Sequence, residues 1–170
     1  MENASKALLM AGGVLLGIMV LSLGVLLFAS FGGTSSQIHD NIEENQTTQF
    51  NSQFTSYMGK DNVTIHDVVS MAKLATQNNQ NYEFAHRAAA DVTGNDRYIS
   101  VLCNNVSIEL GYNETQTAEQ RKNQMEAHFN DLISNELSLV NADGLPKYDV
   151  QVQISDVTKR VYKVICKKIT

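Results

Sequence analysis

Residues 7–31 limit most strongly what this chain can fold into. Of these 25 residues, 19 are apolar and none is charged or is His, Asn or Gln. The nearest charges are Lys6 and Asp40. At a helical rise of about 1.5 Å per residue the segment reaches roughly 37 Å, more than the roughly 30 Å hydrocarbon core of a bilayer. A helix satisfies its own backbone hydrogen bonds in lipid. The run therefore predicts a single tilted spanning helix and excludes a multi-span protein; a one-piece soluble fold is disfavoured. Once it is set aside, residues 32–170 are about 37% apolar, enough for a small core. Their periodic apolar patterns continue to the C-terminus, which argues against disorder.

The flanks suggest an orientation. Lys6 and the α-amino group precede the run, whereas Asp40, Glu43 and Glu44 follow it. Positive-inside logic places the short N-terminus in the cytoplasm and the remainder outside. Ser30-Phe31-Gly32 has the small-x-small form of a signal-peptide cleavage site, but the apolar run is too long for an ordinary h-region and its n-region is nearly uncharged. A retained anchor is the expectation, and no Cys follows the run to receive a lipid.

Six of the ten glycines lie in or just after this segment. Gly13 and Gly17 form a GxxxG, and Gly24, eleven residues after Gly13, returns to almost the same helix azimuth. Small residues on one face let a second helix approach closely and gain dispersion contacts in lipid. Gly13, Gly17 and Gly24 are the candidate helix-packing residues.

Beyond Gly32-Gly33, where a helix would bend or melt, a sparse apolar stripe predicts further helix. Ile38 and Ile42 are followed by Phe50, Phe54, Tyr57 and Met58. Continuous helix from about residue 6 to 58 would measure on the order of 80 Å. Gly59 reads as its C-cap. Thr64 and Asp67 open a second helix with Ile65, Val68, Val69, Ala72 and Ala75 on one face, closed by Asn78-Asn79. Residues 80–95 are ambiguous between strand and helix. Residues 98–103 and 106–110 read as a hairpin across Asn104-Asn105. Thr117 and Gln120 cap a third helix to about Val140, with Met125, Phe129, Leu132, Ile133, Leu137 and Val140 inward, ended by Asp143-Gly144 and Pro146. Residues 148–154 alternate strictly, and 160–169 can return as a hairpin. Helices followed by a terminal hairpin predict an α+β domain with a small antiparallel sheet.

Chemistry is sparsely signalled. There is no G-x-S-x-G, Walker A, H-E-x-x-H, C-x-x-C or dinucleotide fingerprint. His39, His66, His86 and His128 fall on four separate segments, none with a partner at metal-ligand spacing. No catalytic, cofactor-binding or metal residue is proposed, and no cofactor is expected. Cys103 and Cys166 each fall in a predicted strand; they form either a disulfide, as an exported domain permits, or two buried thiols. Charge is asymmetric: residues 1–146 carry 7 basic and 16 acidic side chains, residues 147–170 carry 6 and 2. Lys159, Arg160, Lys163, Lys167 and Lys168 cluster on the last strand, which reads as a protected sheet edge in preference to an anion-docking face. Five N-x-S/T triplets, at Asn3, Asn45, Asn62, Asn105 and Asn113, matter only in a eukaryotic source.

The uncharged glycine-bearing N-terminal helix, its amphipathic continuation and the small sheet domain together resemble the architecture of type IV pilins and pilin-like subunits. The stretch from Phe50 to Gly59, with the cap and helix over 64–77, is similar to small single-span proteins of Gram-positive bacteria compared with tight-adherence minor pilins. The resemblance implies a membrane-anchored subunit that assembles through its helix. Met1-Glu2-Asn3-Ala4-Ser5-Lys6 departs from the pilin pattern, with no glycine for prepilin cleavage and no glutamate inside the apolar segment. No functional residue is carried over.

The expected organisation is a cytoplasmic N-terminus over 1–6, a transmembrane helix over 7–31, an amphipathic stalk helix over 32–59 and an extracytoplasmic α+β domain over 60–170. The expected function is a non-enzymatic pilin-like or pseudopilin-like assembly subunit of the cell surface or a secretion apparatus. Its expected partners are membrane lipid and other copies or pilin-like subunits, with no nucleic acid. The alternative is a single-pass tethered binding or sensor domain.

Overall fold

The computed structural model describes residues 2–138 and 145–169; the side chains of 32–40 lie outside the described set. The expectations for Val140 and Asp143-Gly144 also fall outside it. In chain order the elements are helix α1 (Glu2–Thr55), helix α2 (Ile65–Asn81), a 3-10 turn (Ala89–Asp91), strands β1 (Ser100–Cys103) and β2 (Val106–Ser107), helix α3 (Ala118–Ser138), and strands β3 (Lys147–Ile154) and β4 (Val161–Ile169). The class is α+β with a C-terminal hairpin.

Two compact units divide the chain, one ending at Gln46 and the other beginning at Thr47. The first is the N-terminal part of α1. Gly32 and Gly33 do not interrupt it: the helix is assigned through both. Each glycine costs a helix only about 1 kcal/mol relative to alanine, which continuous flanking turns outweigh.

The second unit begins at Thr47 rather than at residue 60 because the last turns of α1 belong to its core. Phe54 is fully buried and meets Phe50 at a centroid distance of 5.5 Å. The Asn51 side chain donates to Lys159 O at 2.8 Å and accepts the Val161 N–H at 2.9 Å, so it fixes the helix end to the start of β4. Gly59 then takes φ +69°, a left-handed conformation that a Cβ disfavours and that turns the chain after the helix.

At the start of α2 the Asp67 carboxylate accepts both the N–H and the hydroxyl of Thr64, at 2.8 and 2.9 Å. The buried face comprises the expected Ile65, Val68, Val69, Ala72 and Ala75, joined by Met71. The helix nevertheless continues to Asn81, because Asn78 and Asn79 are buried partners of a strand instead of terminators. Asn79 donates to Ile99 O and accepts the Ile99 N–H, both at 2.9 Å. Asn78 donates to Arg97 O at 2.6 Å. These side chains give the chain entering β1 the bonds that a neighbouring strand would supply.

The sheet has the order β2-β1-β4-β3. Its β1/β2 and β3/β4 pairs are antiparallel as expected, whereas β1 and β4 run parallel, so the sheet is mixed. Asn104 and Asn105, both at positive φ, make the tight β1–β2 turn. The edge reading of the lysine-rich strand is overturned, because β4 lies between β1 and β3. Its apolar residues explain this position: Val161, Val164 and Cys166 are buried, and β4 outruns β1 at both ends, with Lys167 and Lys168 beyond the last pair. There Asn104 accepts the Lys168 N–H at 2.9 Å, and the Lys168 ammonium meets Glu136 at 3.2 Å. Lys163 donates to Ala89 O at 2.9 Å. The outer strands are the two-residue β2 and β3, where buried Tyr148 and Val150 alternate with exposed Lys147, Asp149 and Gln151. Helix α3 is amphipathic, capped by Thr117 and Gln120 through bonds of 2.8 and 3.2 Å. It buries Phe129 and packs Met125, Leu132, Ile133 and Leu137 against the core.

Candidate functional site

The first candidate is the N-terminal half of α1. Glu2–Phe31, 30 residues, is the one helix among the described residues long and apolar enough to cross a membrane. None of that apolar window is buried within the protein. Phe28 is 83% and Leu8 80% exposed, values that place large apolar side chains in contact with whatever surrounds the helix. A Cβ built on Gly13, Gly17 or Gly24 would meet nothing within 4 Å. Among the described residues no packing requires these glycines, and the groove they leave is open. The Lys6–Glu2 ion pair at 3.1 Å is exposed on both sides and contributes little to stability.

The second candidate is the cysteine pair. Cys103 and Cys166 are direct partners in the parallel β1/β4 register, on the core face of the sheet. Neighbouring strands lie about 4.8 Å apart, within the Cα range a disulfide accepts. In the structure both are free thiols. Burial pushes Cys103 up to about 11, with the Glu136 carboxylate adding to the effect. Burial likewise pushes Cys166 up to about 12. A thiol so raised is a poor nucleophile at neutral pH. We expect neither to be alkylated in the folded protein at pH 7 and both to be alkylated in urea without reductant. An intact mass lacking two hydrogens, with no labelling in urea, would identify the disulfide instead. The raised values carry a sign for stability. An unfolded thiol ionises near 9, so their contribution is complete below about pH 9 and is lost as pH rises towards 11–12.

The third candidate is a cavity of about 640 Å³ between the 83–86 segment and residues 110–114, with Gln124 of α3 at its wall. Glu83, His86, Tyr112 and Glu114 bring two carboxylates, an imidazole and a phenol to its lining. Tyr112 N–H donates to Phe84 O at 2.6 Å and closes the two segments on each other at Gly111. Arg121 stacks on Tyr112 at 4.5 Å, donates to Asn113 O at 3.1 Å and also bonds Gln116 O, which braces the wall against α3. The lining suits a polar ligand, and nothing in the sequence pattern marks it, because its walls come from separate loops.

The histidines stay apart. His66 is exposed, His86 lines this cavity, and His128 Nε2 lies 3.0 Å from Ile108 O; the side chain of His39 lies outside the described residues. Among the described residues no group of three or more His, Cys, Asp or Glu side chains is placed to hold a metal ion. Comparison of the chain with protein-family models, with curated proteins and with solved structures returns no match.

Proposed function

We propose that the chain is a single-pass membrane protein, N-terminus in the cytoplasm and folded unit outside, that assembles through its helix as a pilin-like or pseudopilin-like subunit of the cell surface or a secretion apparatus. The observation that carries this reading is the open glycine face. Gly13, Gly17 and Gly24 are surrounded by exposed leucines and valines, and no side chain among the described residues fills the groove. In lipid, where apolar contact alone gives no preference for protein over acyl chain, close backbone approach along small residues is the available attraction. The reading is non-enzymatic and assigns lipid and like helices as partners.

The test is disulfide crosslinking in membranes from single cysteines at Val14, Gly17 and Val20, with Cys103 and Cys166 replaced by serine. Dimers are expected at the positions flanking the glycine face. Gly13→Leu with Gly17→Leu is expected to reduce crosslinking at Val14 and Val20 about tenfold, since glycine-to-leucine changes separate the backbones. No crosslink at any position would remove the assembly reading. An intact mass without the apolar segment would remove the anchor itself. A second reading, a tethered binding domain, is favoured by the polar cavity beside Gly111; it requires those two leucine changes to leave ligand binding by the folded unit unaltered.

A further inference from the structure

On the side of the folded unit where α1 ends, Arg160 lies half-buried at the turn into β4. Its guanidinium stacks over the Phe50 ring with Cζ 3.9 Å from the centroid. Nη2 donates to Asn78 Oδ1 at 3.3 Å, whereas Nε is covered by protein and has no hydrogen-bond partner. Among the described residues none of the ion pairs includes Arg160. Burial lowers the guanidinium's affinity for its proton, and the charge of Arg97 lowers it further. The exposed Arg97 donates to Tyr82 Oη at 2.6 Å and stacks on the same ring, and among the described residues none of the ion pairs includes it. Among the described residues, two cationic forks thus flank Tyr82 with neutral acceptors. A partly desolvated guanidinium without an anionic partner costs free energy that a counter-ion at its terminal Nη atoms offsets.

The space for one is present. Arg160, Phe50, Gln77, Asn78, Asn81 and Tyr82 line a cavity of about 270 Å³. That is close to the small end of the roughly 300–1,000 Å³ typical of ligand pockets. Its wall combines a planar cation on an aromatic face, the side-chain amides of Gln77 and Asn81, a phenol and the apolar Leu74. Carboxylates match the fork of a guanidinium through paired N–H donors, and amide donors beside it suit a planar acceptor.

We propose that this pocket is a carboxylate-binding site, with Arg160 as the primary ligand-binding residue, Asn81 and Gln77 as amide donors and Arg97 as the rim charge. The carboxylate belongs either to a free acid of about amino-acid size or to an acidic side chain carried on a peptide. The site lies wholly within the unit that begins at Thr47, with Phe50 supplied by the last turns of α1.

The experiment uses the full chain in a zwitterionic detergent, titrated calorimetrically at constant ionic strength with succinate, L-glutamate, a capped Asp/Glu-rich hexapeptide and inorganic phosphate. Saturable binding of at least one carboxylate probe with a Kd of about 1 mM or tighter is expected. The tighter of the free acids and the peptide identifies the source. Arg160→Lys keeps the charge but loses the fork, and about tenfold weaker binding is expected. Arg97→Gln, at an exposed position that leaves the core intact, is expected to weaken binding about threefold. Lys60→Gln, at an exposed position outside the pocket lining, is the unaffected control. Phosphate bound more tightly than every carboxylate, no saturable heat with any probe, or undiminished affinity in both arginine variants would overturn the proposal.

Discussion

Gly111→Ala is expected to destabilise the folded unit by about 3 kcal/mol or more, at or beyond the upper range for overpacking a core. The reason is backbone against backbone. A Cβ on Gly111 would fall on the His86 N and Cα atoms and on the Ala85 carbonyl carbon. Side chains yield by changing rotamer; main-chain atoms held in a crossing do not. The crossing is fastened on both sides, by the Tyr112 N–H on Phe84 O at 2.6 Å and by the Leu110 N–H on Thr76 Oγ1 at 2.9 Å. Opening it releases the wall of the larger cavity together with the support that α2 gives to the 108–112 segment. Urea titration followed through the near-ultraviolet dichroism of the tyrosines measures the effect, which should lower the midpoint with little change in slope. Faster amide exchange at Tyr112 should accompany it. Gly13→Ala, which meets nothing within 4 Å, is the matched control with no expected effect on this unit. A Gly111→Ala unfolding free energy within about 0.5 kcal/mol of the parent would show that the two segments do not cross as described.

The features legible in the sequence are those that local chemistry dictates. Thr64 with Asp67 and Thr117 with Gln120 mark two helix starts, and the structure forms hydrogen bonds in both pairs. The strict alternation around Tyr148 and Val150 marks β3, and the paired asparagines mark the tight turn after β1. Long-range chemistry was not legible. Residues 80–95 resist assignment because tertiary contacts hold them: Arg87 spans the Phe84 and Tyr98 rings at 5.1 Å each and pairs with Asp96. Asn78 and Asn79 resemble a helix stop in composition, but burial turns them into bonds for the strand that follows. The lysines of β4 suggested an edge, since side-chain alternation encodes which face a residue takes and not which strands lie alongside. Arg160 meets Phe50 across more than a hundred residues, so no spacing rule joins them. The membrane-helix candidate stands at the opposite extreme: its length and composition are its whole argument, in sequence and in structure alike.

Glu109→Leu is expected to cost about 3 kcal/mol, although leucine is the more apolar side chain and position 109 is only 1% exposed. The explanation lies in the donors that the carboxylate satisfies. Its Oε2 accepts the Val101 N–H at 2.8 Å, and its Oε1 accepts the hydroxyls of Tyr98 and Ser107, both at 3.3 Å. Val101 and Tyr98 are completely buried, so neither donor has water as an alternative. Each buried donor left without an acceptor costs about 1–3 kcal/mol, and the gain from removing a buried charge offsets only part of the sum. Glu109→Gln keeps one carbonyl acceptor and is expected to cost about half as much. The network also predicts an alkaline signature. Burial pushes the Tyr98 hydroxyl up to about 12, and the Glu109 charge adds to the shift. An unfolded tyrosine ionises near 10, so the stability linked to Tyr98 is complete below about pH 10 and is lost as pH rises towards 12. Tyr98→Phe should flatten that part of the stability profile. Glu109→Leu should shrink that fall and end it at a lower pH, because removing the carboxylate charge lowers the value of Tyr98 in the folded state while its burial remains. If Glu109→Leu instead unfolds at the parental urea midpoint, the Val101 amide has found another acceptor, and the carboxylate is not what anchors the start of β1 in the core.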